Sequence, residues 1–143
     1  IGREMQTSVI GNNDPKASIS GEFIMERAFF DYEAKYIDGS ITPVVPARLE
    51  PEVADKVREL AVKAFKVLNC QGLARVDIFV TDDNEVLVNE VNTMPGFTPF
   101  SMTPVLWEAT NGTTYSGVVE WLIELAFERY EEEKSISCRR ILD

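Results

Sequence analysis

The feature that most constrains the fold is a pair of neighbouring strand-like segments joined by a short polar turn. Residues 73–80 and 85–92 both alternate between apolar and polar side chains, which is the pattern of a half-buried β-strand. Between them, Asp83-Asn84 predicts a two-residue turn, because Asp and Asn tolerate the positive φ that a tight hairpin needs. The sequence therefore predicts a β-hairpin.

A two-residue turn at this position also predicts the register of the hairpin. Paired residues share a face of the sheet, and the face alternates along each strand. The predicted pairs on the first face are Phe79 with Val88, Asp77 with Glu90, and Arg75 with Asn92. The other face collects Val76, Ile78, Val80, Leu87 and Val91, with Asn89 as its one polar member. One polar face and one apolar face are expected.

The polar face brings two carboxylates together. Asp77 and Glu90, directly opposite each other, would have Cβ atoms about 5 Å apart and would repel. A divalent cation reverses the sign of that interaction, and carboxylates with the Asn92 amide oxygen select a hard ion such as Mg²⁺. We predict a magnesium–nucleotide site here, with Arg75 adding positive charge. Spacing alone leaves a simply solvated polar face as the alternative.

Composition narrows the chemistry further. The 143 residues fit one compact domain or one lobe of a larger enzyme, and they include no histidine, which excludes a His base or a His metal ligand. A net charge of −10, from 24 acids and 14 bases, argues against capture of nucleic acid or anionic membrane. Two cysteines, Cys70 and Cys138, make no disulfide scaffold, so a reducing cytoplasm is expected.

The remaining segments predict an α+β fold with a mainly antiparallel sheet packed by helices. Short strands are expected at 4–10, 21–25 and 44–45, loops at 29–36 and 93–101, and helices at 51–68 and 115–133. We predict one lobe over residues 1–134 and a tail over 135–143. The apolar helix faces are Val53, Val57, Leu60, Ala61, Ala64, Phe65 and Leu68 in the first helix, and Val118, Leu122, Leu125 and Ala126 in the second. Trp107, Trp121 and Tyr130 are interpreted as packing residues.

Three motifs, in this order and spacing, together resemble the D-alanine–D-alanine ligase family: DYEAKY at 31–36, RVD at 75–77 and NEVNTMPGFT at 89–98. The resemblance implies the C-terminal lobe of an ATP-grasp fold, in which nucleotide lies between two α+β lobes. It further implies a cytoplasmic, homodimeric enzyme of peptidoglycan precursor synthesis. ATP would phosphorylate one D-alanine, and the amine of a second D-alanine would attack the acyl phosphate.

The resemblance also assigns roles to individual residues. Asp77 and Glu90 would hold one Mg²⁺, Glu90 and Asn92 a second, and Mn²⁺ is a possible substitute. Catalytic roles fall on Arg75 and the Gly96 backbone N–H, which would stabilise an oxyanion, and on Tyr36, which the family links to amine nucleophiles. Binding roles fall on Ser101 for the carboxylate of the second substrate, Lys35 for the phosphate, Glu4 for the ribose and Phe29 for adenine. Without the resemblance, Gly96 is an ordinary turn residue, Ser101 a loop hydroxyl and Lys35 a solvated lysine.

Rival functions remain open at this point. A D-alanine–D-serine ligase shares every motif named, whereas a more distant ATP-grasp carboxylase subunit lacks the EAKY loop of residues 33–36. A non-catalytic acidic module that binds Ca²⁺ through the hairpin belongs to another class. The resemblance covers less than half of the family's length. It therefore implies that the N-terminal domain and the lysine-bearing nucleotide lobe are absent from these residues.

Overall fold

The computed structural model of the protein describes residues 2–25 and 41–135. The predicted loop at 29–36 and tail residues 136–143 lie outside the described residues. The elements are β1 (Gly2–Gly11), β2 (Lys16–Met25), β3 (Ile41–Val44), α1 (Pro51–Val67), β4 (Gly72–Thr81), β5 (Val86–Asn92), α2 (Met102–Asn111) and α3 (Tyr115–Ser135). The predicted α+β class is confirmed.

All five strands join one antiparallel sheet in the order β3-β2-β1-β4-β5. The central pair, β1 and β4, keeps an unbroken register from Gly2 opposite Thr81 to Gly11 opposite Gly72. The strands β1 and β2 are longer than predicted, and β3 ends at Val44, so Val45 lies outside it. Because side chains alternate along a strand, those of β1 line both faces of the sheet, with Met5 and Val9 in one core and Ile10 in the other.

The helix α1 covers one face of the sheet. It begins at Pro51 with Glu52 in its first turn, where a fixed φ and an acidic charge both favour a helix start. Its residues Val53, Val57, Ala61 and Phe65 form the main core with Met5, Val9, Ala17, Ala74, Val76, Ile78 and Val80. The predicted burial of Leu68 is wrong, because α1 ends at Val67 and Leu68 is exposed beyond it.

The helix α2 covers part of the other face and was not predicted. A helix of ten residues is only marginally stable by itself, so α2 depends on tertiary packing, which the local sequence pattern does not reveal. The buried Trp107 indole N–H donates a hydrogen bond to the buried Ser8 Oγ at 3.0 Å. Its ring also meets Trp121 edge-on, with centroids 5.0 Å apart. The interpretation of Trp107 and Trp121 as packing residues is confirmed.

The helix α3 packs beside α2 through a narrow stripe of apolar side chains. Val118 and Leu125 are buried, Leu122 and Trp121 are partly buried, and all four pack on a second core with Ile10. The predicted burial of Ala126 is wrong, because that residue lies just beside the stripe and faces solvent. None of the described helices is both long and apolar enough to cross a membrane.

The second core covers only one end of its face. It gathers around Ile10 of β1 and Leu73 of β4, whereas Glu4 and Phe79, which are paired at the other end of these strands, are exposed. The sheet thus has one face covered by α1 and one face that stays open at the Glu4 end.

We predict that Phe65→Ala lowers the free energy of unfolding by about 3–5 kcal/mol, because it empties a fully buried position in the main core. Urea denaturation of the protein measures the change. Phe127→Ala is the matched control, since that ring is 67% exposed and its loss should cost no more than about 0.5 kcal/mol. Equal losses from the two variants would contradict the assignment of the core.

Candidate active site

The hairpin turn has three residues, so the predicted two-residue turn is wrong. Thr81 and Glu85 close the turn through a backbone hydrogen bond from Thr81 N–H to the Glu85 carbonyl at 3.0 Å. Asn84 takes a φ of 61°, the left-handed conformation that ends a three-residue hairpin loop. The extra residue shifts the first pairs by one position, so Phe79 lies opposite Leu87 and Val88 opposite Ile78.

A β-bulge in β5 then restores the predicted register. The pairing shifts between Asp77 and Ile78, where Asn89 has no partner of its own. Beyond the bulge, Asp77 lies opposite Glu90 and Arg75 opposite Asn92, as predicted. The predicted pair of Phe79 with Val88 is wrong.

The longer turn and the bulge both change the predicted faces. Leu87 belongs to the polar face and is exposed, and Val88 leaves it. Asn89, placed on the apolar face by simple alternation, reaches across the polar face, where its Nδ2 donates to Glu4 Oε1 at 3.4 Å. A sequence signal exists, because Asn89-Glu90 puts two polar residues in succession and breaks the alternation of the strand.

Three cross-strand rows make up the open end of this face. Strand pairing aligns Glu4, Phe79 and Leu87 in the first row, Gln6, Asp77 and Glu90 in the second, and Ser8, Arg75 and Asn92 in the third. The contributions of β1 were missed by sequence analysis apart from Glu4. Long-range pairing between β1 and β4 leaves no local signal, although Glu4, Gln6 and Ser8 do alternate.

A two-point ion pair holds the centre of the site. Arg75 donates from Nε to Asp77 Oδ1 and from Nη2 to Asp77 Oδ2, each at 2.7 Å. The Asp77 side chain is only 3% exposed, and the same Nη2 lies 3.5 Å from Glu90 Oε1. One guanidinium therefore lies against both carboxylates.

The electrostatics of Arg75 follow from that position. The hydrogen bond to Asp77 raises the pKa of Arg75, and the charges of Asp77, Glu90 and Glu4 add to it, while burial acts in the opposite direction. The net direction is upward, so Arg75 stays protonated and supplies a permanent positive charge.

The carboxylates and the amide fit a hard divalent cation. The available ligand atoms are the side-chain oxygens of Asp77, Glu90 and Asn92. Asn92 Oδ1 accepts a hydrogen bond from the Met94 N–H at 3.0 Å, which leaves it one further acceptor position. Within residues 2–25 and 41–135 no group of three or more His, Cys, Asp or Glu side chains could hold a metal. Two carboxylates and one amide suit Mg²⁺, which completes its shell with water and phosphate oxygens.

The loop after β5 brings Gly96 close to Ser101. The Ser101 hydroxyl accepts the Thr98 N–H at 2.8 Å and lies 3.0 Å from Thr98 Oγ1, so it stabilises the loop without capping α2. A Cβ on Gly96 would meet Ser101 Oγ at 3.7 Å, an ordinary contact. The packing described here therefore does not require a glycine at that position.

The structure thus brings together part of the predicted set. Arg75, Asp77, Glu90 and Asn92 occupy the second and third rows, and Glu4 lies in the first row. Gly96 and Ser101 share the loop that directly follows Asn92. The remaining predicted residues Phe29, Lys35 and Tyr36 lie outside the described residues.

Known proteins match this chain over almost its whole length. Residues 1–124 match the family model described as D-ala D-ala ligase C-terminus. The D-alanine–D-alanine ligase of Oceanobacillus iheyensis is 49% identical, and that of Baumannia cicadellinicola is 51% identical, each over 98% of this chain. The chain spans 38% of the length of each of these two relatives.

Solved structures of named ligases share the fold. The D-alanine–D-alanine ligase of Coxiella burnetii aligns with a TM-score of 0.80 and 41% identity, covering 94% of this chain and 34% of that chain. The VanG D-Ala:D-Ser ligase of Enterococcus faecalis gives 0.76 and 36%, covering 87% and 36%. The D-alanine–D-alanine ligase of Bacillus anthracis complexed with ATP gives 0.75 and 32%, covering 93% and 42%.

We predict that Arg75→Met lowers the free energy of unfolding by about 3–5 kcal/mol in metal-free buffer, because it leaves a buried carboxylate without a partner. Chemical denaturation in the presence of a chelator measures the loss. Arg129→Met is the matched control, since its ion pair with Glu133 is exposed and should contribute about 0.5 kcal/mol or less. A similar loss in both variants would show that the pair of Arg75 with Asp77 does not stabilise the fold.

Proposed function

This chain belongs to the D-alanine–D-alanine ligase family, and on that premise we propose that it forms the metal- and nucleotide-binding part of an ATP-dependent ligase. The full-length parent joins two D-alanines through an acyl phosphate, for peptidoglycan precursor synthesis. The observation that carries the proposal is the pairing of buried Asp77 with Glu90, two residues along the strands from the pairing of Arg75 with Asn92. ATP, D-alanine and a divalent cation are the small molecules it would bind.

In the proposed metal site, the side-chain oxygens of Asp77, Glu90 and Asn92 are the ligands. Asp77 and Glu90 hold one Mg²⁺, Glu90 and Asn92 hold a second, and Mn²⁺ can substitute. A bound divalent cation neutralises phosphate charge and draws the carboxylates together. The exposed Glu90 side chain suits a shared ligand, because it can turn towards either partner, whereas the buried Asp77 cannot.

Arg75 and the loop residues Gly96 and Ser101 would act on the substrates rather than on the metal ions. Arg75 is a fixed positive charge beside both carboxylates, and its remaining N–H groups can donate to a developing oxyanion together with the Gly96 N–H. Gly96 leaves room for that approach, since no packing demand explains a glycine there. Ser101, whose hydroxyl lies close to Gly96, would bind the carboxylate of the second substrate.

Other assignments remain predictions. The assignment of Glu4 to the ribose is supported by its position, because Glu4 is exposed and lies in the row next to that of Asp77 and Glu90. Phe29 for adenine, Lys35 for phosphate and Tyr36 for the amine nucleophile rest on the resemblance alone. A cytoplasmic location and a homodimeric parent rest on it as well, and we expect no nucleic-acid or membrane partner.

A D-alanine–D-serine ligase is the second candidate. It is supported by the alignment of this chain with the VanG D-Ala:D-Ser ligase at a TM-score of 0.76. Phosphate release by the full-length parent, with D-alanine, D-serine or D-lactate as second substrate, separates the candidates. A non-catalytic Ca²⁺ module is disfavoured, because Ca²⁺ takes 6–8 oxygen ligands and the site offers few. Tight Ca²⁺ binding without nucleotide would support that module.

We predict that Asp77→Asn and Glu90→Gln in the full-length parent each reduce turnover about 100-fold or more, because each removes charge that holds the cation. Phosphate release with saturating ATP and D-alanine measures the loss. Glu120→Gln is the control, since that carboxylate is exposed on α3 away from the site. Near-normal turnover in both site variants would refute the metal assignment.

We also predict that residues 1–143 alone have no ligase activity and bind Mg–ATP in the millimolar range or not at all. Half of a nucleotide cleft cannot close over its substrate and exclude water. Titration calorimetry with Mg–ATP measures the affinity. Tight binding by this segment would show that the nucleotide needs no second lobe.

A further inference from the structure

Gln6 is a buried polar side chain in the middle of the site that the proposed function does not use. It lies opposite Asp77 on β4 and opposite Gly21 on β2. Because Asp77 in turn lies opposite Glu90, one row of the sheet runs from Gly21 through Gln6 and Asp77 to Glu90. Gln6 is therefore the direct neighbour of the carboxylate that the metal assignment depends on.

The side-chain oxygen of Gln6 has no hydrogen-bond partner among the described residues. Gln6 is 9% exposed, and its Oε1 is buried without a donor. Buried polar atoms are nearly always paired in folded proteins, because an unpaired one loses its hydrogen bonds to water and gains none in the protein. An orphan oxygen beside a candidate metal site therefore indicates a donor that comes with the ligand.

The neighbours of Gln6 in its own row cannot supply that donor. On one side, an ionised Asp77 only accepts hydrogen bonds, and both of its oxygens already accept from Arg75. On the other side is Gly21, where a Cβ would lie 3.0 Å from both Met102 Sδ and Val45 Cγ2, so the surroundings there are apolar. Of the two neighbours of Gln6 in this row, the polar one is Asp77, so a ligand held by Asp77 is the nearest source of a donor.

We propose that Gln6 is a positioning residue of the metal centre, whose Oε1 accepts a hydrogen bond from a water molecule on the divalent cation held by Asp77 and Glu90. The inference rests on the proposed function. Mg²⁺ keeps several of its waters in protein sites, and these waters are donors. An acceptor just outside the ligand set orients the shell and strengthens binding.

The first test replaces Gln6 with methionine, which keeps the size and removes the acceptor. Titration of the full-length parent with Mn²⁺ alone, with free Mn²⁺ read by electron paramagnetic resonance, should give about ten-fold weaker binding. The Tm of the metal-free protein should stay unchanged or rise, because the orphan oxygen is gone. A merely structural role would lower the metal-free Tm and leave the Mn²⁺ affinity unchanged, which would overturn the proposal.

A second variant keeps the test decisive if the first fails to fold. Gln6→Glu adds a third carboxylate to the row, so Mn²⁺ should bind tighter while the metal-free Tm falls through like-charge repulsion. Mn²⁺ affinity equal to or weaker than that of the unsubstituted protein would overturn the proposal. Gln71→Met is the matched control, because Gln71 is exposed before β4 and should change neither quantity.

Asp77→Asn separates this inference from the proposed function. If Asp77→Asn binds Mn²⁺ as tightly as the unsubstituted protein, the metal centre is wrong and the inference about Gln6 is overturned with it. If Asp77→Asn loses binding while Gln6→Met keeps it, the metal centre stands and only the role of Gln6 is overturned. Weaker binding in both variants, with Gln71→Met unchanged, is the result expected.

Discussion

A buried carboxylate needs a positive partner, and that requirement organises the open face of the sheet. Asp77 is almost fully buried and pairs with Arg75 through two hydrogen bonds of 2.7 Å. The two residues are separated by one position on β4, so a strand places both side chains on the same face. The charge is balanced within the protein, yet Glu90 lies close enough to share the same guanidinium. One guanidinium therefore balances the buried carboxylate and lies next to the exposed one.

Register decides whether the second carboxylate joins the first. The hairpin departs from simple alternation twice, once at the turn that ends with Asn84 and once at the bulge of Asn89. Each departure shifts the pairing by one residue, and the second offsets the first. The bulge also brings an extra polar side chain to the site face, where Asn89 contacts Glu4. Bulges are common beside functional sites, because they redirect a side chain without ending the sheet.

Uneven coverage of the sheet determines where chemistry can take place. One face is covered by α1, whereas α2 and α3 cover only the Ile10 end of the other. The rows that contain Asp77 with Glu90 and Arg75 with Asn92 lie on this second face, and the loop with Gly96 and Ser101 follows Asn92 in the chain. The chain spans 38% of the length of the Oceanobacillus iheyensis and Baumannia cicadellinicola ligases. This segment contributes a sheet face that carries charged and polar side chains.

Local patterns in the sequence determined the hairpin and the helix α1, because alternation and helical periodicity are set by neighbouring residues. The opposition of Asp77 with Glu90 was predicted from a two-residue turn that the structure does not have, and it occurs because the bulge at Asn89 offsets the longer turn. Local patterns did not determine α2, which depends on the contact between Trp107 and Ser8, 99 positions apart. Nor could they place Gln6 beside Asp77, since pairing between β1 and β4 joins distant parts of the chain. The exposure of Leu87 and Leu68 was not predicted either, because the three-residue turn moves Leu87 to the polar face and α1 ends before Leu68. The chemical groups were thus readable along the chain, whereas their neighbours were decided by tertiary packing.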